Sequence, residues 1–108
     1  MSIGELTRLD TVVQVLRAHE AALQRDGVRH VDVFGSLARG SADVRSDVDL
    51  CVELDPAARA KGFAQVGQIE DLRAQLRAIV GAPVDLVVAP VSKPDLRRHI
   101  DEDAVRAF

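Results

Sequence analysis

Phe34-Gly35-Ser36-Leu37-Ala38-Arg39-Gly40-Ser41-Ala42-Asp43-Val44-Arg45-Ser46-Asp47-Val48-Asp49-Leu50 is the stretch that decides how the chain is read. It begins at the end of an alternating segment, Val28 to Phe34, in which Val31 and Val33 fall on one side and His30 and Asp32 on the other, the period of a strand. It ends inside a second alternating segment, Val48 to Leu54. There Val48, Leu50, Val52 and Leu54 form an unbroken apolar face, while Asp47, Asp49, Cys51 and Glu53 point the other way. Asp47 and Asp49 therefore project together, their Cα atoms about 6.5 Å apart. Carboxylates this close repel unless a cation sits between them, and magnesium is the usual cation where phosphates are also bound.

Between the two strands, Gly35-Ser36 opens a short polar loop with room for one helical turn. Glycine lets backbone N–H groups approach an anion, the Ser36 hydroxyl adds a donor, and Arg39 lies one turn on, where a guanidinium can pair with phosphate oxygens. A third alternating segment, Val84 to Val88, turns Asp85 away from the apolar face of Val84, Leu86 and Val88. If it pairs beside the second strand, Asp85 reaches the same place. Three carboxylates on adjacent strands can hold two metal ions for an in-line phosphoryl displacement, and Asp85 is then placed to orient or deprotonate an acceptor hydroxyl.

Outward from this centre, helices are expected on either side. Leu9, Val12, Val13, Leu16 and Leu23 recur at helical spacing from Leu6 to Arg25, with Thr7 or Asp10 as cap and Gly27 as stop. Asp55-Pro56 ends the second strand and is expected to open a helix running to Val80, with Ile69, Leu72, Leu76, Ile79 and Val80 as its core stripe and Gly81 and Pro83 closing it. Ser92 or Asp95 is expected to start a last helix in which Leu96, Ile100, Val105 and Phe108 supply the apolar side. The predicted order is helix, strand, strand, helix, strand, helix: an α/β (α+β) fold, a small mixed sheet covered by helices, in one domain over residues 1–108.

Composition restricts the function classes. The chain is 47% hydrophobic and 29% charged, as folded globular proteins are, and its net charge of -3 is the wrong sign for a nonspecific nucleic-acid binder. With 3% aromatics and neither Trp nor Tyr it also lacks base-stacking platforms. No apolar run approaches the roughly 20 residues of a membrane span, and the N-terminus lacks the pattern of a signal peptide, so a cytoplasmic protein is expected. Cys51, alone and inside an apolar run, reads as a buried small hydrophobe in a reducing compartment. His19, His30 and His99 are scattered without ligand spacing, Glu53 reads as solvated at a strand end, and Arg97-Arg98 and Asp101-Glu102-Asp103 read as solvated helix faces and a helix start.

Gly35-Ser36, ten intervening residues and Asp47-Val48-Asp49 resemble the GS-x10-DxD signature of the DNA polymerase β-like nucleotidyltransferase superfamily. The fuller stretch from Phe34 to Leu50 is similar to its minimal (MNT) group, and Asp85 stands where the family places its third carboxylate. The resemblance spans nearly the whole chain. It implies transfer of AMP from ATP, with two magnesium ions, to an acceptor hydroxyl. In that scheme Gly35 and Ser36 hold the triphosphate, Asp47 and Asp49 bind both metals, and Asp85 binds one metal and acts on the acceptor. It further implies a HEPN-type ribonuclease toxin as partner, adenylylated typically on a tyrosine, with the MNT protein as antitoxin. One departure is Leu37, where the group often has a basic residue, which moves phosphate binding toward Arg39 and the backbone. At 108 residues no second, acceptor-binding domain is expected, so a protein acceptor or a second copy must complete the site. The rival expectation is a binding module that neutralises its partner by stoichiometric contact alone.

Overall fold

The computed structural model describes residues 7–40 and 47–108; residues 1–6 and 41–46 lie outside that description. The elements are α1 (Arg8–Ala18), α2 (Glu20–Arg25), β1 (Val28–Phe34), α3 (Gly35–Ala38), β2 (Val48–Leu54), α4 (Phe63–Val80), β3 (Val84–Val88), α5 (Pro94–Asp103) and β4 (Val105–Arg106). The four strands form one mixed sheet in the order β3-β2-β1-β4, with β2 antiparallel to β1 and parallel to β3, and β4 antiparallel to β1.

The main core lies on one face of the sheet. Val31, Val33, Val48, Leu50 and Val52 are fully buried there against Leu16, Leu23 and Leu76 of the helices. Side-chain alternation leaves the opposite face of β2 to Asp49, Cys51 and Glu53. On that side a smaller cluster of Phe34, Cys51 and Ile100 packs α5 against the sheet. The helices thus divide between the two faces: α1, α2 and α4 over the apolar one, α5 over part of the other.

The leading helix is two helices. Thr7 and Asp10 cap α1 reciprocally, the Asp10 amide donating to Thr7 Oγ1 (3.0 Å) and the Thr7 amide to Asp10 Oδ2 (3.2 Å), so both residues named from the sequence take part in one capping box. The helix breaks at His19, whose ring Nδ1 contacts the Val15 carbonyl oxygen at 2.8 Å. Leu16 and Leu23 are both buried fully, and the change of axis lets each side of the break meet the core.

Pro56 does not open α4. Asp55 instead folds the chain into a turn, accepting the Ala57 amide on Oδ1 (2.9 Å) and the Ala58 amide on its carbonyl (2.9 Å). The Gln68 side chain pins the following loop, donating to the Ala58 carbonyl (2.7 Å) and accepting from the Ala60 amide (2.9 Å). Helix α4 starts only at Phe63. Within it Leu72 and Leu76 are buried and Ile79 and Val80 pack at the margin, while Ile69 is half-exposed. Gly81, at φ 71°, ends it as expected.

The final helix stops at Asp103, and Val105 belongs to β4. Ala104 leaves the helical region at ψ 137°, and the chain then lies along the free edge of β1. The Ala107 amide donates to the Val31 carbonyl (2.9 Å), and the Val31 amide to the Phe108 carbonyl (3.2 Å). An unpaired strand edge outbids the helical periodicity of Val105 and Phe108. The acidic run Asp101-Glu102-Asp103 accordingly forms the last turn of α5, not a helix start.

Candidate active site

Strand β1 runs straight into the one-turn helix α3, and Gly35 makes the corner. Its φ of 72° is in the left-handed region, and a Cβ there would overlap the carboxylate of Asp49. Glycine is therefore required twice, once by the backbone and once by the side chain across from it. The Arg39 amide donates to the Gly35 carbonyl (3.1 Å) and the Gly40 amide to the Leu37 carbonyl (3.1 Å), closing the turn. Leu37 points inward and is buried in the main core. Leu37 thus anchors the turn to the fold.

The strand register gathers the candidate residues. Phe34 stands opposite Asp49 on one side, and Asp85 stands opposite Asp49 on the other. β3 does pair beside β2, the condition under which Asp85 joins the site. Asp47 is exposed just before β2, Asp49 is half-buried and Asp85 is exposed. Ser36 is half-buried on the turn.

The electrostatics match this crowding. Burial pushes the Asp49 carboxyl above its ordinary value, the charges of Asp85 and Asp47 push it further, and the Arg39 guanidinium pulls it back. Three oxygen-rich, mutually repelling carboxylates beside one guanidinium are the donor set that a hard divalent cation would relieve. Among the described residues no three acidic, histidine or cysteine side chains are drawn together tightly enough to grip a metal ion, so the carboxylates form an open row.

Arg39 is not simply held out toward solvent. Its Nη1 pairs with Asp103 Oδ2 at 3.1 Å, which ties the turn after Gly35-Ser36 to the end of α5. A carboxylate at a helix C-terminus opposes the helix dipole, and Arg39 offsets that. Asp103 has no sequence signal that would have linked it to Arg39.

Further along the same face, Asp32 binds Arg106 of β4 through Oδ1 and Nε at 3.0 Å, and Glu53 lies 3.8 Å from Arg29 at the surface. Cys51 is buried between them. Burial, then the charges of Asp32, Asp101 and Glu53, push its thiol up to about 11, so it remains protonated and inert at neutral pH.

The family model for the nucleotidyltransferase domain matches residues 16–107. The protein adenylyltransferase MntA of Thermococcus cleftensis is 33% identical over 98 residues, covering 90% of this chain and 93% of the relative. Among solved structures, one described as a minimal nucleotidyltransferase is 33% identical with a TM-score of 0.62, over 86% of this chain and 93% of that one. The complex of tri-AMPylated Shewanella oneidensis HEPN toxin with MNT antitoxin shares the fold, with a TM-score of 0.54 at 19% identity over 89% of this chain and 71% of that one. No helix among the described residues is long and apolar enough to cross a membrane.

Proposed function

This chain belongs to the nucleotidyltransferase domain family, and we propose that it is a cytoplasmic, magnesium-dependent protein adenylyltransferase. In this reading it moves AMP from ATP to a tyrosine hydroxyl of a HEPN-type toxin and so acts as its antitoxin. The observation that carries the reading is the arrangement of Gly35 against Asp49, with Asp85 in register across the neighbouring strand. It puts a turn suited to phosphate beside carboxylates suited to a cation. The relative from Thermococcus cleftensis and the AMPylated toxin complex support the acceptor class.

Each residue then has a task. The turn at Gly35 and Ser36 holds the triphosphate, and Arg39 reaches its oxygens on release from Asp103. Asp47, Asp49 and Asp85 would hold magnesium, which would neutralise phosphate charge and favour attack at the α-phosphorus. Asp85, at the outer side of the row, orients the acceptor and takes its proton. The acceptor oxygen bonds to the α-phosphorus as the bond to the bridging oxygen breaks, and pyrophosphate leaves.

The test is transfer of label from α-phosphate-labelled ATP with magnesium to the co-purified partner. Label on the partner, lost when Asp47→Asn and Asp49→Asn are combined although the complex still forms, supports the enzyme. A tight complex that never takes label moves the reading to a module that neutralises its partner by contact.

A further inference from the structure

Helix α4 begins with two large apolar side chains in water: Phe63 is 97% exposed and Val66 63%. Phe63 is one of only 3 phenylalanines in the chain, and an aromatic ring so placed costs the isolated fold its full hydration. Beside it lies a groove of about 520 Å³ between α4 and the start of β1, floored by Val28, Leu54 and Leu72 and walled by Ala64 and Gly67. Gly67 stands inside the helix, where glycine is less favourable than alanine, yet a Cβ there would meet nothing within 4 Å among the described residues. Its smallness serves no contact among the described residues. It widens the groove.

The charges around this knob and hole are arranged in halves. Asp26 and Asp71 rim the groove. Arg59 and Lys61 line a second hollow of about 370 Å³ that shares Leu54 with the first. Neither cation pairs with a carboxylate among the described residues, and Asp71 has no cationic partner there. Gln68 pins the loop between them, so the patch is already ordered. One surface therefore carries a knob, a hole, an acidic rim and a basic rim, the properties of a two-fold interface in which each copy supplies what the other lacks.

We propose that the Phe63 face of α4 binds a second copy of this chain, each Phe63 entering the other's groove beside Gly67, with Arg59 and Lys61 of each copy against Asp26 and Asp71 of the other. Such a dimer leaves both carboxylate rows open, because α4 covers the face of the sheet opposite Asp49. It does not depend on the activity proposed above.

Sedimentation velocity of the full chain over a range of concentrations tests this. Wild type is expected to form a dimer, and Phe63→Ser to weaken it at least about tenfold in Kd with an unchanged circular dichroism spectrum. Two charge variants give a readout that misfolding cannot imitate. A chain with Arg59→Glu and Lys61→Glu, and a chain with Asp26→Lys and Asp71→Lys, are each expected to be monomeric alone and to pair when mixed, since both sets of contacts are then opposite in sign. A wild type that stays monomeric at its highest soluble concentration overturns the proposal, as does a Phe63→Ser variant that dimerises normally. A monomer whose complex with the toxin is lost on Phe63→Ser also overturns it, and gives the face to that partner instead.

Discussion

The Cα of Gly35 faces the Asp49 carboxylate so closely that only hydrogen fits between them. The turn and the carboxylate row are thus set against each other by contact as well as by chain connection. Gly40 provides the matched comparison: its φ is 76°, close to the 72° of Gly35, but a Cβ there meets nothing within 4 Å among the described residues. Gly40→Ala should cost only the strain of a left-handed residue, about 1–2 kcal/mol. Gly35→Ala should cost that and also displace Asp49, lowering transfer by at least about 100-fold. Denaturant unfolding and labelled-ATP transfer on the two variants check this. Equal effects would mean that the Asp49 contact relaxes at no cost.

Burial, then the charges of Asp85 and Asp47, oppose ionisation of Asp49, and Arg39 opposes them in turn. The folded pKa of Asp49 is raised, so the native protein binds more protons than the unfolded chain as the group titrates. Stability from this group is greatest below the unfolded value, about 3.9, and is lost as pH rises through the folded value. Asp49→Asn removes the charge, and should raise Tm at pH 7 in the absence of metal while abolishing transfer. The difference in Tm should narrow as pH falls toward 4. Magnesium should raise the wild-type Tm and not that of the variant, by preferential binding to the native state. Thermal melts with and without magnesium, across pH, measure all three.

Arg39 has a partner that is not a phosphate. An exposed ion pair like Arg39–Asp103 contributes little to stability, about 0–1 kcal/mol. Asp103→Asn should therefore leave Tm nearly unchanged, and should lower KM for ATP by freeing the guanidinium. Arg39→Gln should raise KM about tenfold or more, the worth of a charge-assisted hydrogen bond. Steady-state kinetics on both variants decide it. If Asp103→Asn leaves KM where it was, the pair does not compete with the nucleotide.

Ala107 is only 1% exposed, packed with the main core at the end of β4, and its carbonyl accepts from Arg17 Nε at 2.6 Å. Ala107→Lys puts a charge where nothing pairs it and should destabilise by about 3 kcal/mol or more. Ala104→Lys, at a half-buried position just before the strand, should cost much less. Urea unfolding of the two separates burial at β4 from a general effect of added charge.

What the sequence revealed, and what it hid, follows from how local each signal is. Alternation placed Asp49 and Asp85 on the polar sides of their strands, and the pairing of β2 with β3 then brought them level. Gly81 ended its helix because a left-handed cap is a one-residue requirement. No helix starts at Pro56, because Asp55, one position earlier, takes the next two amides into a turn, Ala57 on its side chain and Ala58 on its carbonyl. Val105 fits a helical period because that signal is local, whereas the edge of β1 that claims this stretch lies far back in the chain. The need for Gly35 was legible as a turn signal. Its second cause, the Asp49 carboxylate, was not, since it depends on which residue the register sets across from it.

β1 occupies residues 28–34 and is closed on one side by residues 105–106, so a central strand of the sheet waits for a segment far along the chain. During synthesis, β1, the Gly35 turn, β2 and β3 all emerge before β4 does. The carboxylates can come into register on the ribosome while one edge of β1 is still open. Final closure is then a late, long-range step of the kind that slows folding. Until it occurs, that edge offers its backbone to any strand nearby.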